Sequence, residues 1–368
     1  MATPESLTVH QHRGGLRRTL AAIQNKKLTL GFIGGSITDG RGPHNWTDPV
    51  GAWFARKFPG VRVCMENAAI GATNSGLGAF RAKRDLIDRG CDLVFVEYAV
   101  NDNGETAERR QRTREGLLRQ LLREDRDVVL VYTYMQDMGS EMNEGRVPPS
   151  VAGLEALGSH YRLGSVWMGL AALLEVRSGA MRWQEWLPDG LHPHYRGSFR
   201  YAASVCEFLE RELAESPSAA RILCGKELPA PMDPACWERV SYLPWDAVKT
   251  EGPWTLRRST TNVWMDQVLF TPSPGARLSF EFEGRGLVLG FDFGKQSAEF
   301  RYRLDGAAPV EVVRDRPAWC GDQGWFRLYP VTDALSPGRH QFALEVTHGN
   351  RPECTGSDFS LAFAGAIG

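Results

Sequence analysis

The chain has 368 residues, too many for one typical core, so two domains are the natural expectation. Its apolar fraction of 42% and charged fraction of 24% are those of a globular protein in water. A formal net charge of -1 supplies no field that would draw it to nucleic acid or to a membrane surface.

No apolar run approaches transmembrane length, and the N-terminal MATPESLTVHQHRGG lacks the apolar stretch of a signal peptide. A cytoplasmic location is therefore expected; a chain whose signal had been removed would read the same and be secreted. Seven cysteines (Cys64, Cys91, Cys206, Cys224, Cys236, Cys320, Cys354) form no CxxC or zinc spacing. Several lie in apolar runs, where cysteine behaves as a small hydrophobe.

Residues 15–26 read as a short helix leading into a first strand. Four nearly continuous apolar runs then start 32 to 35 residues apart: Leu28–Ile33, Val61–Met65, Leu93–Tyr98 and Val128–Tyr134. That spacing suits βαβ units, and runs without alternation suit parallel strands covered on both faces. Helices are expected over residues 48–58, 76–88, 105–124, 151–163, 167–177 and 197–213. The first of these has Asp48 as N-cap ahead of Pro49. The third carries Leu117, Leu118, Leu121 and Leu122 on one stripe. Residues 1–215 thus predict a three-layer, doubly wound α/β domain with a parallel sheet.

Residues 216–240, rich in Pro, Ser and Glu, read as a linker. Beyond them the pattern alternates, as in Leu278-Phe280-Phe282, Phe300-Tyr302-Leu304 and Phe342-Leu344-Val346. Period two with one apolar face means antiparallel strands, and Asp305-Gly306 is a hairpin turn signal. Residues 241–368 predict a β-sandwich or jelly roll.

The chemistry gathers around LTLGFIGGSITDG, residues 28–40. An apolar strand breaks at Gly34-Gly35 and leaves Ser36 at the strand's carboxyl end, where open α/β sheets bind ligands. A serine is a weak nucleophile until a base takes its proton. Asp189-Gly190-Leu191-His192 supplies a carboxylate and an imidazole three residues apart, ahead of the last helix of the domain. Gly71 follows the second strand and Asn101 the third, and both could donate to an oxyanion. Each motif alone is as well explained by an ordinary turn or cap.

Taken together, the four resemble the blocks of the SGNH (GDSL) hydrolase superfamily, over roughly residues 28–210. The GGSIT form looks like a variant found among carbohydrate esterases. The resemblance implies Ser36 as nucleophile, His192 as general base and Asp189 as its partner. The oxyanion hole it implies comprises the Ser36 amide, the Gly71 amide and the Asn101 side chain. Gly35 stands where the family has Asp, and Ala99 where it has Gly, which puts the local support of the serine loop in question. Asp102 is expected to brace its loop. Glu97, on an otherwise apolar strand, needs a partner if it is buried.

Trp46 and His194 are expected to bind substrate. His160, and the pair Trp319 and Trp325, are weaker candidates, better explained by packing. The resulting expectation is a serine esterase acting on short acyl esters, acetyl above all, of carbohydrates. Its rivals are a lipase or thioesterase for longer acyl chains and a non-catalytic carbohydrate-binding protein. No cofactor or metal is expected; the partner is a small-molecule or saccharide ester, and a homo-oligomer is left open.

Overall fold

The computed structural model describes residues 7–214, 228–258, 266–314, 317–320, 324–349 and 355–368. The chain divides into two compact units, Met1–Glu238 and Arg239–Gly368.

The first unit is built on one sheet. Its strands are β1 (His10–Gln11), β2 (Lys27–Ile33), β3 (Arg62–Asn67), β4 (Leu93–Val96), β5 (Asp127–Val131) and β6 (Gly164–Val166). Their spatial order is β1-β6-β5-β4-β2-β3. All pairs are parallel except the short β1 against β6. Leu28, Leu30, Phe32 and Ile33 of β2 are fully buried, as are all four residues of β4, because helices cover both faces of the sheet. Each such side chain contributes roughly 1.5–3 kcal/mol by leaving water.

The helices are α1 (Arg17–Gln24), α2 (Thr47–Lys57), α3 (Ser75–Ala82), α4 (Ala107–Arg123) and α5 (Gly139–Asn143), then α6 (Pro149–Tyr161), α7 (Met168–Arg177), α8 (Trp183–Trp186) and α9 (Tyr195–Ala214). Thr106 caps α4 by accepting the Arg109 N–H at 3.2 Å. The expected leucine stripe of α4 is buried against the sheet side. Asp48 does not cap α2. It lies inside the first turn, and the Asn45 side chain accepts its N–H at 3.1 Å instead.

Chain order makes this topology useful. From β2 the chain moves outward to β3, then returns across β2 to β4, so β2 and β4 are neighbours at the point where winding reverses. Ligand crevices form there, at the strands' carboxyl ends. Phe32 pairs with Asn67 of β3, and Ile33 with Val96 of β4, so all three strands end level.

Asp127, at the start of β5, shows how burial acts on charge in this unit. Its carboxylate accepts the N–H and the O–H of Thr19, each at 2.7 Å. Burial outweighs these bonds and raises its pKa from 3.8 to about 6. The native state therefore holds the proton more tightly than the unfolded chain. The resulting stabilisation is complete below about 3.8 and is lost as pH rises through about 6. Asp127→Asn should abolish up to roughly 3 kcal/mol of that loss. Urea unfolding of both proteins at acidic and alkaline pH measures it; parallel pH profiles would refute the assignment.

The stretch read as a linker is divided. Residues 215–227 lie outside the described residues. Residues 228–238 pack on α4: Arg119 donates to the Pro229 carbonyl at 2.8 Å, and Glu115 accepts the Met232 and Asp233 amides. Trp237 is fully buried.

The second unit consists of two antiparallel sheets. One runs Val310–Val312, Glu299–Leu304, Gly338–Thr347, Arg277–Gly284, Lys249–Glu251. The other runs Trp325–Thr332, Gly286–Phe293, Phe359–Ile367, Val268–Thr271, Thr255–Arg257, with Val240–Tyr242 also pairing on Phe359–Ile367. Arg277–Gly284 alternates buried and accessible residues, and its buried set joins one aromatic-rich core. Phe280 and Tyr302 both stack on Phe342, with ring centroids 5.1 and 5.5 Å away. Asp305 and Gly306 turn the hairpin with φ of 51° and 73°, and the Ala307 N–H closes it on the Leu304 carbonyl at 3.0 Å. Among the described residues no helix is long and apolar enough to cross a membrane.

Candidate active site

Ser36 sits in the turn that follows β2, half-buried. The turn is closed by the Thr38 N–H on the Gly35 carbonyl at 3.1 Å, and the Asn67 side-chain amide donates to the Thr38 carbonyl at 2.7 Å. The Ser36 hydroxyl lies 2.8 Å from Nε2 of His192. On the other side of that ring, Nδ1 lies 2.8 Å from Oδ2 of Asp189. A carboxylate only accepts, so Nδ1 carries the proton and Nε2 is the acceptor that faces Ser36.

Asp189 and His192 share a tight loop between α8 and α9. Oδ1 of Asp189 accepts the amides of Leu191 and His192 at 2.9 and 2.7 Å. Gly190 takes φ +78°, a left-handed conformation, and a side chain there would also strike Gln136. The Gly190 carbonyl accepts the Gln136 N–H at 2.9 Å, and the Trp186 carbonyl accepts that of His194 at 2.7 Å. Burial works against ionisation of Asp189. The hydrogen bonds from the His192 ring and from the two amides outweigh it and hold the carboxyl below its ordinary pKa.

Gly71 and Asn101 come to the same turn from β3 and β4. A Cβ placed on Gly71 would stand 3.5 Å from Cβ of Ser36. The Asn101 side chain lies over Gly35, where an added Cβ would be only 1.9 Å from Oδ1 and 2.7 Å from Nδ2. Behind Asn101, buried Asp102 accepts the Ser75 N–H at 2.9 Å and the Arg114 Nε–H at 2.6 Å. Arg114, also buried, donates on to the carbonyls of Tyr98 and Ser150. Asp102 thus clamps the loop from behind; breaking such a buried pair costs about 3–5 kcal/mol.

No family model matches the chain, and no curated protein sequence matches it. Solved structures do. A two-domain esterase (CEX) active on acetylated mannans aligns with a TM-score of 0.82 and 22% identity, over 98% of this chain and 97% of that one. The same esterase co-crystallized with mannopentaose gives 0.81 and 22%, over 98% and 96%. Axe2, an acetylxylan esterase from Geobacillus stearothermophilus, covers 51% of this chain with 95% of its own, at 18% identity and a TM-score of 0.41. The chain has the fold of the two-domain esterase, a doubly wound α/β unit and a β-sandwich unit.

The departure of Gly35 from the motif that this turn resembles has a physical counterpart in the structure. The space that a side chain at Gly35 would need is filled by Asn101, and that at Gly34 by Glu97. Fully buried Glu97 accepts from three donors: Thr133 at 2.6 Å, Thr38 at 3.2 Å and the Gly35 amide at 3.4 Å. Burial pushes its pKa up against these bonds. The serine turn is therefore supported from below by the Glu97 carboxyl, which directly follows β4 and to which Thr38 of the motif also donates.

Trp46, expected to bind substrate, lies in the core and not on an accessible wall of the site. It is fully buried, packs edge-on against Phe32 and Phe95, and donates to the Thr38 hydroxyl at 3.2 Å. It is a core residue that anchors the loop after Ser36. His160 is also structural: its Nε2 lies 2.9 Å from the Ala230 carbonyl. His194 is exposed, with its ring edge-on to Tyr195 at 5.0 Å. Trp319, in the second unit, is 64% exposed and edge-on to Trp325.

Three residues not expected at the site adjoin it. The His44 ring lies 5.2 Å from that of His192, and its Nε2 is 3.7 Å from Asp39. Arg41 donates to the same Asp39 carboxylate through Nε and Nη2. In the sequence their sole signal is a polar loop, DGRGPHN, that directly follows the serine.

Proposed function

We propose that the chain is a serine esterase that removes short acyl groups, acetyl foremost, from saccharides. The observation that carries this reading is the Ser36–His192–Asp189 relay, two 2.8 Å contacts in line at the carboxyl end of a doubly wound sheet. Ser36 Oγ attacks the ester carbonyl while His192 Nε2 takes its proton. Asp189 stabilises the imidazolium that results. The oxyanion is received by the Ser36 and Gly71 amides and the Asn101 side chain. His192 then returns the proton to the leaving sugar oxygen. In the second half it activates a water that hydrolyses the acyl-enzyme. All five groups fall between residues 36 and 192, so we assign catalysis to the α/β domain and an accessory role to the β-sandwich.

Saccharide acetates are favoured by two considerations. The structural neighbour acts on acetylated mannans. The loop beside the serine presents Arg41 and, in part, His44, both held by the buried Asp39; exposed His194 belongs to the same polar rim in this reading. Each further CH₂ of an acyl chain gains about 0.8 kcal/mol only when apolar surface receives it. kcat/KM measured across C2 to C12 esters should peak at acetyl or propionyl and fall with length, with acetylated sugars also hydrolysed. A rise through C8 would replace this reading with the lipase or thioesterase one. Absence of any ester hydrolysis would favour a non-catalytic carbohydrate-binding protein.

A further inference from the structure

The loop between Ser36 and α2 is pinned at both ends. Before His44, the Pro43 carbonyl accepts the Ser198 hydroxyl of α9 at 2.8 Å. After it, Asn45 accepts from Thr47 and from the Asp48 amide and donates to the Asp48 carboxylate, and Trp46 is locked in the core. His44 thus cannot drift, although its side chain remains 21% exposed. Fixed polar groups of this kind recognise ligands at little ordering cost.

Its position beside His192 gives the imidazole a task. In ester cleavage His192 Nε2 hands its proton to the departing alcohol oxygen. On a sugar, a hydroxyl on the adjacent carbon lies about one hydrogen-bond length from that oxygen, and the His44 ring, centred 5.2 Å from that of His192, is near enough to His192 to reach such a group. The charges around His44 also select. Asp39 is almost fully buried and holds Arg41 at 2.5 Å, so carboxylate and guanidinium offset one another. His44 faces four titratable groups: Asp39 and Arg41 on its own loop, His192 and Asp189 on the other. Burial and the neighbouring His192 keep its pKa down against Asp39, which leaves the ring neutral and able to donate or accept. With Asp39 and Arg41 offsetting one another and Asp189 ionised, the groups around His44 leave one negative charge, which disfavours an acidic sugar.

We propose that His44 is a specificity residue that hydrogen-bonds the hydroxyl next to the scissile ester of an uncharged saccharide. The proposal rests on the esterase reading above. Three acetates test it: a monoacetylated methyl pyranoside with a free vicinal hydroxyl, its deoxy analogue lacking that hydroxyl, and 4-nitrophenyl acetate. His44→Ala should lower kcat/KM about tenfold on the first, the worth of one neutral hydrogen bond. On the other two it should stay within about twofold, which also shows that the variant is folded. His44→Gln, which keeps a donor and an acceptor, should recover part of the loss on the first substrate alone. Equal losses on all three acetates would make His44 a support for His192 and overturn the proposal while sparing the esterase reading. No loss on any would do the same. A wild-type protein inert on all three would overturn the esterase reading itself, and this proposal with it.

Discussion

Ser36→Ala is expected to cut esterase turnover by on the order of 10⁴-fold or more while leaving a folded protein. The two halves of that expectation have separate causes. The hydroxyl's contact with His192 is one hydrogen bond at a half-buried turn, worth about 0.5–1.5 kcal/mol to stability. The turn itself is held by groups that the substitution leaves alone: the Gly35 carbonyl with the Thr38 amide, Asn67 beneath Thr38, and Glu97 beneath Gly34 and Gly35. Chemistry has no such reserve. In the proposed mechanism no acyl-enzyme can form without Oγ, and only binding and the proposed oxyanion donors would remain, which accelerate by about 10³–10⁴ over water. Purified mutant and wild type should share a thermal midpoint within a few degrees and differ in initial rate on an aryl acetate. Turnover close to wild type would remove Ser36 from the mechanism.

Much of this candidate site is visible in the sequence because its residues follow the strand ends. Ser36, Gly71 and Asn101 each stand a few residues beyond an apolar run, and the parallel sheet brings level strand ends together. Asp189 and His192 are three residues apart, so one turn suffices to join them. What stays hidden depends on contacts between distant segments. Strand β6 is only Gly164–Val166 and β1 only His10–Gln11, too short for any periodicity to register. The stretch around Pro229 and Pro231 has linker composition, yet Trp237 is buried and Glu115 accepts the amides of Met232 and Asp233. Composition does not report a tertiary dock of this kind.

Trp46 illustrates the same limit at the site. An aromatic residue ten positions after a candidate nucleophile suits a substrate wall as well as a core. Only its neighbours, Phe32, Phe95 and the Thr38 hydroxyl, decide for the core. His44 is the converse case, a polar residue in an ordinary-looking loop that folding sets against His192. Gly35 is the third. Its departure from the Asp of the motif it resembles looks like a weakness in one dimension, whereas in three the place is taken by Asn101 from the loop after β4.

Asn101→Ala should lower kcat by about 10²–10³, or roughly 2.7–4 kcal/mol, with little change in KM, because the amide matters most once charge develops on the carbonyl oxygen. The contact with Gly35 complicates the experiment, since removing the side chain also opens a gap against the serine turn. Asn101→Asp separates the two effects. Its side chain has nearly the same shape and fills the same space, but an ionised carboxylate accepts and does not donate. If donation to the oxyanion is the role, the substitution replaces an attractive group with a repulsive one, and the Asp variant should be at least as slow as the Ala variant. If packing on Gly35 is the role, the Asp variant should recover much of the wild-type rate. The loop behind it gives a further check: Asp102, Arg114 and Ser150 lie outside the substitution, so unfolding midpoints of both variants should stay near wild type. A loss confined to KM in either variant would recast Asn101 as a substrate-binding group and leave the oxyanion to the two backbone amides.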